Sequence, residues 1–398
     1  MLRLSTPLVV VLASSAAAMA AANGKKLIEW GWDQPTTAFM RQHIAQMEMM
    51  PFDGTVFSVN MNDGNSFTDA YWGGAAITPS HLSTAQGDLQ ATPFNTFTDN
   101  FLRLNMTPFG PSEGIDWFDN FGAIVGNSLA AAQVAKDSGV KGILLDTEQY
   151  TRQIWDYSQQ RDVGTKSWSQ YAAQVRQRGY EVMQAFQQGY PDLTLFLSHG
   201  YSLPGEQSDN NPANLPNASY GLLAPFLDGM FDAAAGNTII VDGFELGYKY
   251  NVRRYGVEKI QEHIDYMHEG VLSIVDADDE QFTQFSSAGY ATWLDFPWHE
   301  HGWNPNNDFE PNGNWYTSAD LQATLEATLT RVDDYAWVYT EQPRWWTAAG
   351  GPTGLPQAYI DAVRNAAAVP EPSSALLLAL AAAGLVRPLL KSRRRACR

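Results

Sequence analysis

The sequence predicts an α/β protein, a (β/α)8 TIM barrel that forms a single domain with long loops after its strands. Eight short apolar runs alternate with helix-like stretches along the chain. Continuous apolar runs of this length are typical of parallel strands that are buried on both faces. Polar residues follow the runs at their C-terminal ends, where barrel enzymes build their active sites. A doubly wound sheet is the alternative, but the glycine-rich turn that usually follows its first strand is absent from this sequence.

The apolar runs and the stretches between them give the element order. The predicted strands are residues 26–30, 54–59, 101–104, 140–145, 193–197, 238–244, 290–294 and 335–339. The predicted helices, assigned from apolar residues that recur on one helical face, are residues 37–49, 118–138, 167–188, 257–269 and 318–332. Long loops follow strands two, five and seven, most clearly at residues 62–78 and 298–315. Loops of this length in a compact domain are usually functional or disordered.

The N-terminus, residues 1–22, predicts a signal peptide. A charged start with Arg3 precedes an apolar run at residues 8–12, and small residues follow up to an Ala-Met-Ala cleavage site at residues 18–20. The apolar run is too short to span a bilayer, which needs about 20 residues. The predicted catalytic barrel domain is therefore residues 24–366 of an exported protein.

The C-terminus, residues 369–398, predicts a sorting segment. A Pro-Glu-Pro motif at residues 370–372 precedes an apolar helix that begins near Ser374, and a basic cluster at residues 391–395 follows. This pattern resembles the PEP-CTERM sorting signal of Gram-negative bacteria. The resemblance implies processing by an exosortase-type partner and delivery to the cell surface or extracellular matrix, with membrane contact only through this transmembrane helix before processing. A plain tail anchor is the alternative.

The amino-acid composition limits which classes of molecule the domain is expected to bind. The formal net charge of −18 repels nucleic acid and anionic membranes, so neither is an expected partner of the domain. It also argues, more weakly, against strongly anionic polymers as substrates. The 13 tryptophans suggest aromatic platforms for sugar rings in addition to core packing. The only cysteine, Cys397, lies in the sorting segment, so no disulfide is possible within the chain.

The sharpest candidate site is Asp146 and Glu148, after the fourth run. Side chains two apart in a strand share a face, so both are expected to point into the mouth of the barrel. Glycosidic cleavage needs one protonated carboxyl to assist the leaving oxygen and a second group to stabilise or attack the anomeric carbon. Paired carboxylates beside an apolar wall can have their pKa values pushed apart, which separates the two roles.

The Asp-x-Glu of residues 146–148 resembles the end of the fourth-strand motif of barrel glycoside hydrolases of the chitinase type. The resemblance implies that Glu148 is the general acid and that Asp146 orients the substrate. The upstream aspartates of that motif are replaced here by apolar residues. As partner of Glu148 we expect Glu245, which ends the sixth run, then Glu341, which ends the eighth, then Asp295, which ends the seventh.

Residues near the other strand ends are candidates for substrate binding. Trp30 and Trp32 share a face and are expected to form a stacking floor, Asp33 and Asn60 to bind sugar hydroxyls, and His199 to polarise a hydroxyl or hold a carboxylate. The full set of substrate-binding candidates is Trp30, Trp32, Asp33, Asn60, His199, Tyr248, Asp295, Trp298 and Trp345.

Other chemistries find little support in the sequence. His299-Glu300-His301 suggests a metal site, but zinc needs a third ligand and no His-Glu-x-x-His is present, so neither metal nor cofactor is expected. No Gly-x-Ser-x-Gly elbow and no phosphate loop appear. We therefore expect an extracellular glycoside hydrolase with a carbohydrate substrate. The alternatives are a non-catalytic carbohydrate-binding matrix protein, a polysaccharide lyase and a purely structural matrix protein.

Overall fold

Parallel strands surround a packed interior and are enclosed by helices in the computed structural model, which describes residues 24–107, 115–304, 314–347 and 352–368. The predicted signal peptide and sorting segment lie outside these residues and stay predictions. No helix within the described ranges is long and apolar enough to cross a membrane. The strands are β1 Lys26–Gly31, β2 Gly54–Phe57, β3 Phe101–Asn105, β4 Gly142–Asp146, β5 Thr194–Leu197, β6 Ile239–Asp242, β7 Ser286–Ala288, β8 Tyr290–Trp293 and β9 Tyr335–Thr340.

The sheet confirms the predicted (β/α)8 barrel. Its strand order is β7-β6-β5-β4-β3-β2-β1-β9-β8, and all eight strand pairings are parallel. Strands β7 and β8 pair with opposite ends of the sheet although only Gly289 separates them, so together they act as the seventh strand that closes the barrel. A Cβ atom at Gly289 would lie 3.0 Å from the carbonyl oxygen of Asp242, so the close approach at this joint needs a glycine.

Alternation along each strand separates two apolar cores. One set of side chains faces the barrel axis, and the other faces the helices, as expected for strands buried on both sides. The interior set is Ile28, Trp30, Val56, Phe101, Leu144, Phe196, Val241, Ala291, Tyr335 and Trp337. Above this layer, towards the C-terminal ends of the strands, polar side chains replace apolar ones, and the cavity described below opens there.

The helices form the outer layer. They are α1 Thr37–Met47, α2 Phe67–Ala70, α3 Ser83–Gln90, α4 Gly122–Asp137, α5 Trp168–Gly189, α6 Ser202–Gln207, α7 Leu223–Ala233, α8 Val252–Tyr255, α9 Val257–His268, α10 Asp279–Phe285, α11 Trp298–His301, α12 Ser318–Leu329 and α13 Gln357–Ala367. The five predicted helices correspond to α1, α4, α5, α9 and α12. Helix α7 was not predicted; nine of its 11 residues are buried, and it contains Pro225 and Gly229, two residue types that disfavour a helix.

Side-chain caps fix where several helices begin. Thr36 accepts a hydrogen bond from the backbone N–H of Phe39 at the start of α1. Ser167 and Gln170 form a reciprocal capping box at the start of α5, and Thr317 does the same with Asp320 at the start of α12. Each cap satisfies N–H groups that have no partner within the helix, which stabilises the helix by about 1 kcal/mol.

Candidate active site

A cavity of about 820 Å³ opens at the C-terminal ends of the strands. It is lined by Trp30, Gly31, Trp32, Gln34, Arg103, Glu148, Tyr150, Glu245, Tyr248, Trp293, Tyr339, Glu341 and Arg344. Its volume falls in the range of ligand-binding clefts, and its position is where barrel active sites lie. Three of the four predicted catalytic carboxylates, Glu148, Glu245 and Glu341, therefore face one cavity.

Asp146, the fourth predicted carboxylate, lies beneath the cavity rather than on its wall. Its side chain is 0% exposed and is paired with Arg103 from the neighbouring strand β3. Oδ2 also accepts the hydroxyl of Tyr150 at 3.0 Å, and Oδ1 accepts the hydroxyl of Ser198 at 3.3 Å. With both oxygens occupied, Asp146 is a fixed negative charge directly below Glu148.

Glu148 has the electrostatics of a general acid. Burial raises the pKa of its half-buried carboxyl, and the charge of Asp146 raises it further, to about 7. Its backbone N–H donates to Oδ1 of Asp146 at 3.2 Å, and its carbonyl oxygen accepts the Thr107 hydroxyl. The backbone at Glu148 is thus held from both sides, while its carboxyl faces the cavity and holds a proton near neutral pH.

Glu245 follows β6 at a strained point of the backbone. Phe244, a buried residue, adopts a left-handed conformation with φ of 47°, and the 3₁₀ helix Glu245–Lys249 begins directly after it. Such strain in a non-glycine residue costs about 1–3 kcal/mol and is concentrated at functional sites. Burial raises the pKa of Glu245 well above its ordinary value, and the charge of Glu148 adds to this. Both effects favour the protonated form of the Glu245 carboxyl.

His199 contacts Glu245 without forming an ion pair. Its Nε2 atom lies 3.5 Å from Oε2 of Glu245. Burial lowers the pKa of His199 to about 4, so its imidazole is neutral at pH 7, and burial raises the pKa of Glu245, which favours the neutral carboxyl. The structure thus places His199 next to a carboxyl of the cavity.

Glu341 follows β9 and is held by two donors. Trp298 Nε1 donates to Oε2, and the hydroxyl of Tyr339 donates to Oε1 at 3.1 Å. Asp295 fixes the backbone here, because its carboxyl accepts the N–H of Glu341 at 3.1 Å and the N–H of Gln342 at 2.8 Å. Burial raises the pKa of Asp295 to about 6. Asp295 thus supports the position of Glu341 from behind the cavity wall.

Aromatic side chains form the floor and one rim of the cavity. Trp30 is buried and stacks on Trp337, with ring centres 4.9 Å apart. Trp32 is 55% exposed and meets the ring of Trp298 edge-on at 6.2 Å. Tyr248 stacks on Tyr339 at 5.2 Å. The two tryptophans that were predicted to form one stacking floor therefore differ in position. Trp30 lies in the buried floor of the cavity, and Trp32 lies on its exposed rim.

Six predicted binding residues are not part of the cavity lining: Asp33, Asn60, His199, Asp295, Trp298 and Trp345. His199, Asp295 and Trp298 contact lining residues, as described above, and the other three lie elsewhere. Asp33 accepts the backbone N–H of Trp345 at 2.6 Å, and its carbonyl oxygen accepts the indole N–H of Trp346 at 2.8 Å, so it anchors the loop after β9. Trp345 is completely buried and packs edge-on against Phe52. Asn60 is exposed on the loop after β2.

Metal-ligating side chains do not converge in the residues that the structure describes. No group of three or more histidine, cysteine, aspartate or glutamate side chains is placed there to hold a metal ion. His299 is exposed and packs its ring against Trp293 with ring centres 5.8 Å apart.

Comparison with known proteins gives only distant likenesses. No protein-family model and no curated protein matches the sequence. Solved structures with a similar fold include an endocellulase from Pyrococcus horikoshii, with 10% identity and a TM-score of 0.47, covering 87% of this chain and 92% of that one. A putative chitinase A from Streptomyces coelicolor gives 11% identity and a TM-score of 0.35 over 86% and 98% of the chains. Triosephosphate isomerase from Bartonella henselae has 13% identity and a TM-score of 0.35, and the match covers 79% of this chain and 92% of that one. The activity has to be inferred from the site itself.

Several lining residues were not among the predicted site residues. Arg103 is the clearest case, because it is a charged residue within an apolar run and shares a face with the interior residue Phe101. The sequence therefore contained a signal that Arg103 points towards the barrel axis. Tyr150 and Arg344 lie on irregular segments, where strand parity says nothing about direction. The 13 tryptophans suggested several aromatic platforms for sugar rings, but seven of them are buried and Trp32 alone is exposed.

Proposed function

We propose that this protein is a glycoside hydrolase that acts on a polysaccharide or oligosaccharide. The observation that carries the proposal is Glu148, a carboxyl with a pKa raised to about 7 on the wall of a large cavity that also holds Glu245 and Glu341. A carboxyl that keeps its proton near neutral pH is what protonation of a glycosidic oxygen requires. The exposed ring of Trp32 supplies a stacking surface for a sugar.

In this proposal Glu148 is the general acid. Its proton passes to the glycosidic oxygen as the bond to the anomeric carbon breaks, and the leaving group departs as an alcohol. Asp146 acts through Glu148, because its charge favours the protonated form and its Oδ1 accepts the backbone N–H of Glu148. Asp146 is therefore a positioning residue.

Glu341 is the better candidate for the carboxylate that faces the developing positive charge. Its two oxygens accept hydrogen bonds from Trp298 and Tyr339, which orient the side chain and suit a charged carboxylate. The raised pKa of Glu245 favours its protonated form, which suits a donor to a sugar hydroxyl more than a nucleophile. This assignment reverses the order expected from the sequence, where Glu245 came before Glu341.

The place of action follows from the two ends of the chain. The predicted signal peptide and the sorting segment would direct the barrel to the cell surface or extracellular matrix, with an exosortase-type enzyme as processing partner. Mass spectrometry of the surface fraction tests this. Loss of the residues that follow the Pro-Glu-Pro motif is the expected result, and an intact C-terminus at the surface contradicts it.

Replacement of one carboxyl tests the function. Glu148→Gln should lower the release of reducing ends from a responsive glycan by orders of magnitude while leaving the melting temperature unchanged within a few degrees. Glu258→Gln is the matched control, because Glu258 is an exposed carboxylate on α9, away from the cavity. Full activity of Glu148→Gln contradicts the proposal. Binding without any release of reducing ends favours a carbohydrate-binding protein, and a product that absorbs in the near ultraviolet favours a lyase.

A further inference from the structure

Arg344 is an unpaired cation on the cavity wall. The other arginine of the cavity, Arg103, is paired with Asp146. Among the residues that the structure describes, no carboxylate pairs with the guanidinium of Arg344, and its Nη1 atom is buried without a hydrogen-bond partner. Burial of a charged donor without a partner is costly, and because Arg344 lines the cavity, an anionic group bound there would compensate the charge of its guanidinium.

The backbone of Arg344 is fixed in place. Its N–H donates to the carbonyl oxygen of Thr353 at 2.8 Å and its carbonyl oxygen accepts the N–H of Thr353 at 3.0 Å. The next residue, Trp345, is anchored by Asp33. The guanidinium lies 5.6 Å from the centre of the Trp32 ring. A cation held by its backbone and beside an aromatic ring loses little freedom on binding a ligand.

The carboxyls behind Arg344 do not neutralise it by contact. Glu29 Oε2 accepts the Thr55 hydroxyl at 2.7 Å, and Asp33 Oδ2 accepts the backbone N–H of Trp345 at 2.6 Å. Burial raises the pKa of both carboxyls, and the nearby charge of Arg344 lowers both. Neither forms an ion pair with the guanidinium in the described part of the chain, which leaves the face of Arg344 towards the cavity free for a ligand.

We propose that Arg344 and Trp32 form a subsite for a sugar that carries one anionic substituent, a carboxylate or a sulfate. This inference rests on the proposed function, since it takes the ligand to be a glycan. The exposed part of the Trp32 ring offers a stacking surface, and the planar guanidinium offers paired N–H donors to the two oxygens of the anion. A neutral hydroxyl would bring no opposite charge to the guanidinium of Arg344.

The surroundings of the subsite limit how many anions the ligand carries. The chain has a formal net charge of −18, and Glu341 lies on the same cavity wall. A polymer with a charge on every sugar would be repelled along most of its length. The inferred substrate class is therefore a glycan with anionic substituents at intervals, such as gellan for carboxylate or κ-carrageenan for sulfate.

Binding to an inactive variant tests this without turnover. Calorimetry on the Glu148→Gln protein would compare gellan oligosaccharides before and after carboxyl reduction, and κ-carrageenan oligosaccharides before and after desulfation. We expect at least one charged ligand to bind on the order of 10- to 100-fold more tightly than its neutral counterpart. The carboxyl and sulfate arms show which anion is recognised. Equal affinity in both pairs, or no binding by either charged ligand, overturns the inference.

Variants of Arg344 test whether this residue causes the preference for the charged ligand. Arg344→Gln in the same inactive protein should abolish the preference for the charged ligand, and Arg344→Lys should retain part of it. Arg254→Gln is the matched control, because Arg254 also lies over a tryptophan ring, Trp315 at 4.1 Å, outside the cavity. An unchanged preference in Arg344→Gln overturns the inference. If the native protein fails to cleave the ligands that the inactive protein binds, the proposed function is contradicted and the subsite stands.

Discussion

Arg103 donates two hydrogen bonds, from Nε at 3.1 Å and from Nη2 at 2.5 Å, to the same oxygen of Asp146. Asp146 is buried beneath the cavity and Arg103 reaches the cavity wall. Removing one partner of a buried salt bridge typically costs about 3–5 kcal/mol. The pair affects the cavity through Glu148, since the charge of Asp146 raises the pKa of that carboxyl.

Asp146→Asn should lower the pKa of Glu148 towards its usual value. The asparagine removes the neighbouring negative charge, while its side-chain oxygen can still accept from Arg103. The alkaline limb of the kcat/KM profile should then move to lower pH, because Glu148 loses its proton earlier. Ser198→Ala is the control, since it removes one hydrogen bond to Asp146 and leaves the charge. A limb that stays in place in Asp146→Asn argues against this coupling.

Glu341→Ala should be more damaging than Glu245→Gln. The alanine removes the proposed carboxylate partner and should lower kcat/KM by several orders of magnitude. Glutamine at residue 245 mimics the protonated carboxyl and should cost much less. Steady-state kinetics of the two variants on one substrate is the measurement. A larger loss in Glu245→Gln would return the partner role to Glu245.

The stereochemistry of the product separates two roles for Glu341. Retention of the anomeric configuration, observed by proton NMR during the first minutes of reaction, would make Glu341 a nucleophile, and azide should then rescue Glu341→Ala as a glycosyl azide. Inversion would make it a general base that activates water. Retention without formation of a glycosyl azide by Glu341→Ala would argue against the nucleophile role.

Glu29→Gln should stabilise the protein increasingly as the pH rises above about 4.5. The folded state raises the pKa of Glu29, so above the ordinary value of 4.5 the native protein keeps a proton that the unfolded chain has lost. The free energy of unfolding therefore falls with rising pH, by about 1.4 kcal/mol per pH unit for one such group. Glutamine cannot ionise and removes this loss. Thermal unfolding at a series of pH values above 4.5, with Glu258→Gln as control, should show the difference growing until the pH reaches the pKa of Glu29 in the folded protein. A difference that stays constant from pH 4.5 upwards contradicts the prediction.

Much of the barrel could be predicted from the sequence because buried parallel strands give continuous apolar runs. The seventh strand is the exception, since its first half, Ser286–Ala288, begins with two serines and was not among the predicted strands. Only the tertiary contact at Gly289 makes the two halves one strand. Helix α7 was missed for a local reason, because it contains Pro225 and Gly229, which disfavour a helix.

The carboxylates of the site were predictable because strand parity and the strand-end rule both apply to them. Glu148, Glu245 and Glu341 follow strands directly and reach one cavity. Asp33 and Trp345 also follow strands, but the loop after β9 folds over β1 and uses them as anchors. Arg344 depends on that same loop geometry, which no sequence period encodes.

The titration of Glu148 tests the central claim most directly. Carbon-13 NMR of the side-chain carboxyl, assigned by comparison with Glu148→Gln, reports its pKa in the folded protein. We predict a midpoint near 7, matched by an alkaline limb of kcat/KM at the same pH on a substrate that the protein cleaves. A midpoint near the ordinary value of 4.5, or an alkaline limb unrelated to the titration, would contradict the assignment of Glu148 as the general acid.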